Sequence, residues 1–195
     1  MKIIKYILAA LLLVGMSGCL FPEKIETRVR FTAKNSKTGQ AEQPRVTLTY
    51  YNFSSDAQNE TDLQKDFEEL LKSGKVQNGD EEVEEGMIIQ TRNVYLENGK
   101  INMRAEAVPE GGKLADVLAN GERILVIEGG EEISRIETNG KVLRTDKNYI
   151  LVWPESLEEI YWVQHFTPEK EEDRAALERN RPTLVGMWEE HLKQR

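Results

Sequence analysis

Val94-Tyr95-Leu96-Glu97-Asn98-Gly99-Lys100-Ile101-Asn102-Met103 reads as two strands joined by a two-residue turn. Asn-Gly supplies the two positive φ angles that such a turn needs, and its twist matches that of the strands on either side. The turn fixes a register in which Leu96 faces Ile101, Val94 faces Met103, and Glu97 meets Lys100 as an ion pair. An antiparallel sheet built from hairpins is therefore the expected core of the fold.

Moving outward from this hairpin, the chain is strongly β from Met87 onward. Four short strands are predicted over Arg123 to Glu128, Ile133 to Thr138, Lys141 to Thr145 and Asn148 to Trp153. Turns at Gly129-Gly130, Asn139-Gly140 and Asp146-Lys147 would make them a meander. Ile160 to Phe166, rich in aromatic and β-branched side chains, adds another strand. Upstream, Ile25, Thr27, Val29, Phe31 and Ala33 alternate with Glu26, Arg28, Arg30, Thr32 and Lys34, the pattern of a half-buried strand. After a loop from Asn35 to Gln43, Arg45 to Phe53 alternates in the same way, and the two segments are expected to pair.

Helices are expected where the period lengthens. Thr61 and Gln64 form a capping box ahead of Leu63, Phe67, Leu70 and Leu71, with a stop at Gly74. Leu114, Val117 and Leu118 suggest a short helix ending at Asn120-Gly121. Thr167-Pro168-Glu169 reads as a helix start, with Pro182 as its end, and a last helix carries Leu184, Val185, Trp188 and Leu192 on one face. The expected fold is α+β: an antiparallel, hairpin-rich meander sheet with helices packed on one face and a helical C-terminus.

The N-terminus carries a different message. Lys2 and Lys5 precede an apolar run from Tyr6 to Met16, followed by Ser17-Gly18 and by Cys19, the single cysteine of the chain. This has the three parts of a secretory signal, and it is too short for a membrane span of about 20 residues. Met16-Ser17-Gly18-Cys19 resembles the lipobox of bacterial lipoproteins, with Met in place of the usual Leu. The resemblance implies removal of residues 1–18, lipid attachment to Cys19 by diacylglyceryl transfer, and acylation of the freed amine, palmitate being a typical chain. Two or more acyl chains hold a protein firmly to a bilayer, whereas one does so marginally. Leu20 follows the cysteine in place of the Asp that retains enterobacterial lipoproteins at the inner membrane. By the same resemblance, the protein is expected in the cell envelope, at the outer membrane and facing the periplasm. Residues 19–24 are expected to be a lipidated tether reaching at most about 18 Å, and 25–195 a single globular domain.

Loss of Lys2 and Lys5 takes the formal charge from −8 to −10. So acidic a chain, without a basic stripe, is a poor nucleic-acid binder, so the expected partners are membrane lipid through acylated Cys19 and a protein of the envelope. Five acidic residues between Asp80 and Glu85 lack the order of a calcium loop, and Gly129-Gly130 precedes Glu131 and Glu132, which repel phosphate. His165 and His191 stand in no metal spacing. Neither a nucleophile elbow nor a nucleotide fingerprint is present. No catalytic residue, metal ligand or cofactor is assigned, and an enzyme ranks third among the readings. The leading one is a non-catalytic interaction or assembly component; the alternative is a carrier enclosing a lipid or other hydrophobic ligand. Trp153, Tyr161, Trp162 and Trp188 gather in the last quarter of the chain, where they form either a partner-binding patch or the joint between sheet and C-terminal helix.

Overall fold

A computed structural model describes residues 20–31, 43–73, 82–84, 87–110, 116–117, 120–128, 133–168 and 170–194. In chain order its elements are β1 (Leu20–Phe21), β2 (Lys24–Arg30), β3 (Arg45–Tyr51), β4 (Ser54–Ser55), α1 (Glu60–Ser73), β5 (Glu82–Glu84), β6 (Met87–Glu97), β7 (Lys100–Pro109), β8 (Asp116–Val117), β9 (Glu122–Glu128), β10 (Ile133–Thr138), β11 (Lys141–Arg144), β12 (Asn148–Pro154), β13 (Glu159–Phe166) and α2 (Glu171–Lys193). They form an α+β fold with antiparallel sheets. The signal segment, Cys19, most of the Asn35 to Gln43 loop, Gly74 and Gly129 to Glu132 lie outside the described residues.

The large sheet has seven strands in the order β10-β13-β2-β3-β7-β6-β5, and the small sheet four in the order β11-β12-β9-β8. Alternation in the sequence becomes alternation between faces. Ile160, Val29, Val46, Ala107 and Ile89 form one inward row across the large sheet. Gln164, Ile25, Tyr50, Met103 and Val94 form another. A bulge between Ile89 and Thr91 shifts the phase of β6, so that Arg92 and Val94 point the same way as Met87 and Ile89. The register of the hairpin is as its sequence reads: Asn98 and Gly99 have φ of 53° and 69°, and Glu97 stands opposite Lys100, Leu96 opposite Ile101, and Val94 opposite Met103, while the Lys100 ammonium lies 4.0 Å from Glu23.

The expected meander is corrected. β9 and β10 do not pair; β9 lies beside β12, while β10 crosses to the large sheet and pairs with β13. β11 then returns to the small sheet beside β12. Asn139-Gly140 is thus a corner between sheets, and of the turns expected in the meander Asp146-Lys147 closes a hairpin, between β11 and β12. The corner is held by side chains: Trp153 Nε1 donates to Thr138 Oγ1 and Asn139 Oδ1, each at 3.0 Å, and Asn139 Oδ1 also accepts from the Tyr161 amide. Glycine is needed for space, because a Cβ at Gly140 would stand 2.4 Å from Trp153 Cδ1 and 2.5 Å from the Val152 carbonyl oxygen.

The helices are also corrected in their ends. Asn59, not Thr61, caps α1: its Oδ1 accepts from the Asp62 amide at 3.0 Å. The short helix expected around Val117 is replaced by β8, since Asp116 and Val117 pair with Ile124 and Arg123. The start read at Thr167-Pro168-Glu169 moves to Glu171, although the Pro168 carbonyl accepts from Arg174 Nε. The two C-terminal helices are one, α2, with Pro182 inside it. An interior proline costs about 3 kcal/mol, and burial on both sides of it offsets that cost. Ala176, Leu177 and Asn180 are buried before it, and Leu184 and Trp188 after it. Trp188 meets Phe67 of α1 edge-on, with ring centres 6.5 Å apart.

Candidate interaction surface

Residues immediately after Cys19 belong to the folded body, which corrects the expected tether. Leu20 is 2% exposed, and β1 pairs with β4 in the register Leu20 to Ser55 and Phe21 to Ser54. Phe21 lies edge-on to Phe166 at 6.1 Å. β4 is itself gripped by both helices. Ser54 Oγ donates to the Leu177 carbonyl, Ser55 Oγ donates to the Asp66 carboxylate, and Asn180 Nδ2 donates to the Ser55 and Ala57 carbonyls at 2.8 Å. Burial pushes the Asp66 carboxyl up from its ordinary value, against the lowering effect of the Ser55 hydroxyl. At the end of the same segment, the Asn52 amide, with Lys100, Arg181 and Lys24 nearby, holds the Glu23 carboxyl low.

The four aromatic residues singled out in the sequence do not share a surface. Trp153 and Trp162 are fully buried with ring centres 5.9 Å apart, and they join the two sheets. Trp188 is 7% exposed in the helix pair. Tyr161 alone of the four faces outward, half-buried under the Arg28 guanidinium at 5.0 Å. His165 lies on β13 at 3.1 Å from Glu137, whereas His191 lies in the last turn of α2 beside Phe67 and Trp188. Among the described residues no group of three His, Cys, Asp or Glu side chains is arranged to hold a metal ion. None of their helices is long and apolar enough to cross a membrane.

Two outward sheet faces remain, and they differ in kind. The outer face of the large sheet is a lattice of charges. Arg28 bridges Glu26 and Glu159, Arg30 reaches the same Glu159 at 3.0 Å, and Arg104 pairs with Glu106 at 3.0 Å. Lys24 lies over the Tyr51 ring at 4.5 Å, and the Tyr51 hydroxyl donates to Glu26. Each group has a polar partner and access to water.

The outer face of the small sheet is aliphatic. Register places Leu143, Ile150 and Val126 in one row, and Lys141, Val152 and Ile124 in the next. Ile124, Val126 and Ile150 are half-buried, and Leu143 is 56% exposed. Val142, on the inner side with Leu151 and Leu125, is 39% exposed at the rim. β11 is the edge of this sheet, and all four of its residues are exposed, with cations at both ends, Lys141 and Arg144. The sequence held a signal for this surface. Ile124-Leu125-Val126-Ile127 and Tyr149-Ile150-Leu151-Val152-Trp153 are continuous apolar runs, the pattern of strands covered on both faces.

No protein-family model, curated protein or solved structure matches this chain.

Proposed function

We propose that the protein is a lipid-anchored, non-catalytic interaction component of the cell envelope, presenting the small sheet to a protein partner. The carrying observation is the aliphatic outer face around Leu143, Ile150 and Val126, which continues to an exposed edge strand. Apolar patches rimmed by polar residues mark interaction sites on soluble domains. The lipobox-like residues at Met16 to Cys19 support the anchor, and Leu20 in the place of a retaining Asp supports the outer membrane and its periplasmic side. An anchor at Cys19 would join the body with almost no slack, a reading that the burial of Leu20 supports.

Two measurements test the reading. Metabolic labelling with a fatty-acid analogue should mark the wild type and leave the Cys19→Ser variant unmarked; equal labelling removes the anchor. A photo-crosslinker placed at position 143 in intact cells should capture a defined protein, and the same group at Thr47, on the charged face of the large sheet, should not. Capture from Thr47 and none from position 143 moves the interaction surface to the other sheet.

A further inference from the structure

Resting on that reading, we propose that β11 receives an extended segment of the partner as a fifth strand of the small sheet, and that the segment has the form acid-apolar-apolar-acid. Three observations combine to define it. First, among the described residues β11 is at the sheet edge and pairs on one side, with β12, in an unbroken register from Lys141 with Val152 to Arg144 with Tyr149. The backbone groups on its other side are a template for strand addition. Second, one of the two rows that an incoming strand would extend on each side is apolar where it ends: Leu143 on the outer side, after Ile150 and Val126, and Val142 on the inner side, after Leu151 and Leu125. Third, Lys141 shares the outer side with Leu143, and Arg144 shares the inner side with Val142. An added strand therefore meets one cation and one aliphatic residue on each side.

The same pattern selects against the simplest alternative, a second copy of this chain. Two β11 strands paired antiparallel about their centre put Val142 opposite Leu143, but also Lys141 opposite Arg144 at both ends. Like charges directly opposite are destabilising. A segment with carboxylates at those two positions converts both contacts to attraction. The edge is also only four residues long, so the backbone contribution is modest and the flanking charges decide which segment stays.

The test uses the full chain in nonionic detergent micelles and a fluorescein-labelled, amidated octapeptide with Glu-Val-Ile-Glu at its centre. Anisotropy should report binding, and a peptide with Lys-Val-Ile-Lys at its centre should bind about tenfold more weakly, from two reversed cross-strand pairs. The double variant Lys141→Glu/Arg144→Glu should exchange the two preferences. Hydrogen exchange should slow at residues 141–144 on adding the acidic peptide, with the β10 edge unchanged. Unchanged preference in the double variant, or slowing confined to another edge, overturns the proposal. So does a concentration-dependent dimer in sedimentation that Leu143→Glu abolishes, which would assign the edge to a second copy. If position 143 still crosslinks a partner in cells while neither peptide protects 141–144, strand addition fails and the interaction surface stands. If position 143 crosslinks nothing while the peptide binds as described, the edge chemistry stands and its use in the envelope falls.

Discussion

The two sheets share one core and are finished differently on their outer sides. On the large sheet, Glu26, Arg28, Arg30 and Glu159 form a connected set of ion pairs that joins β13 to β2, a strand that alternates strictly. On the small sheet, aliphatic side chains occupy both sides of β9 and β12. Elementary burial arithmetic gives the difference its meaning. Each aliphatic side chain withdrawn from water contributes about 1.5–3 kcal/mol, so an outward row of Leu143, Ile150 and Val126 leaves a gain that the isolated chain has not collected. The charged lattice holds no such reserve, since exposed ion pairs contribute about 0–1 kcal/mol each. One surface is made to stay in water, and the other to leave it.

The comparison breaks most completely if the sheets are separated. Trp153 is fully buried, lies at a 45° tilt to Trp162, and donates to the Thr138-Asn139 corner. Trp153→Ala should cost about 4 kcal/mol in urea denaturation. Hydrogen exchange in β9 and β12 should then accelerate more than in β2 and β3. Equal acceleration in both sheets would mean that they unfold as one unit without a weaker joint.

The next effect concerns the joint itself. Gly140→Ala puts a methyl group against the Val152 carbonyl and the Trp153 ring, and overpacking of this kind costs about 2 kcal/mol. Gly99→Ala is the matched control: nothing lies within 4 Å of the added carbon, and only the positive φ of 69° opposes it, for about 1 kcal/mol. A reversal of that order would show that the corner relaxes freely.

These two glycines also show how far the sequence can be read. Both follow an asparagine between β-rich segments, and the local pattern is the same. Asn98-Gly99 is a hairpin because its flanking strands match each other in period. At Asn139-Gly140 they do not: Ile133-Ser134-Arg135-Ile136-Glu137-Thr138 is mixed and polar, whereas Val142-Leu143 is an apolar pair. That pair finds its match in Ile150-Leu151, so β11 joins the small sheet. The longer strands, the first pairing of β2 with β3 and the amphipathic α1 were legible from period alone, whereas the short β1, β4, β5 and β8 were not. The partition into two sheets was a contest between distant segments, which no local window contains. The aromatic residues were legible as a group but not in their place, because Trp153 and Trp162 suit a core and an interface equally well. Pro182 misled for a related reason: its local cost is real, but tertiary burial of Leu177, Asn180, Leu184 and Trp188 exceeds it.

A smaller effect on the helix side tests whether the two outer faces are independent of what lies beneath the large sheet. Asp66 is buried, and its carboxyl is raised from the ordinary value by burial. A raised folded-state value means that the folded protein favours the protonated form. The stability this group contributes is full below its unfolded value and is lost as pH rises through the folded one. Asp66→Asn keeps an acceptor for Ser55 and removes the charge, so its stability relative to wild type should increase with pH and level off above the folded value. Chemical denaturation at pH 4, 6 and 8 measures this. A difference that shrinks with rising pH would contradict burial as the dominant cause, and a change in crosslinking from position 143 would show that the Ser55–Asp66 contact and the small sheet are coupled.

The smallest expected effects bear most directly on the two faces. Glu159→Gln removes the negative charge shared by Arg28 and Arg30, both of which remain solvent-accessible. It should cost at most about 0.5 kcal/mol at low salt, and nothing measurable in 1 M sodium chloride, where the screening length is about 3 Å. Leu143→Thr with Ile150→Thr should also change the stability of the isolated chain by less than about 1 kcal/mol, because Leu143 is mostly in water and Ile150 partly so. Its cost should be independent of sodium chloride, and the variant should need more ammonium sulfate to precipitate than the wild type, as expected when an apolar patch is removed from a surface. A loss of about 3 kcal/mol or more in the double threonine variant would mean that this row is already packed within the chain. The small sheet would then be as complete as the large one, and the surface offered to a partner would have to be sought on the charged lattice.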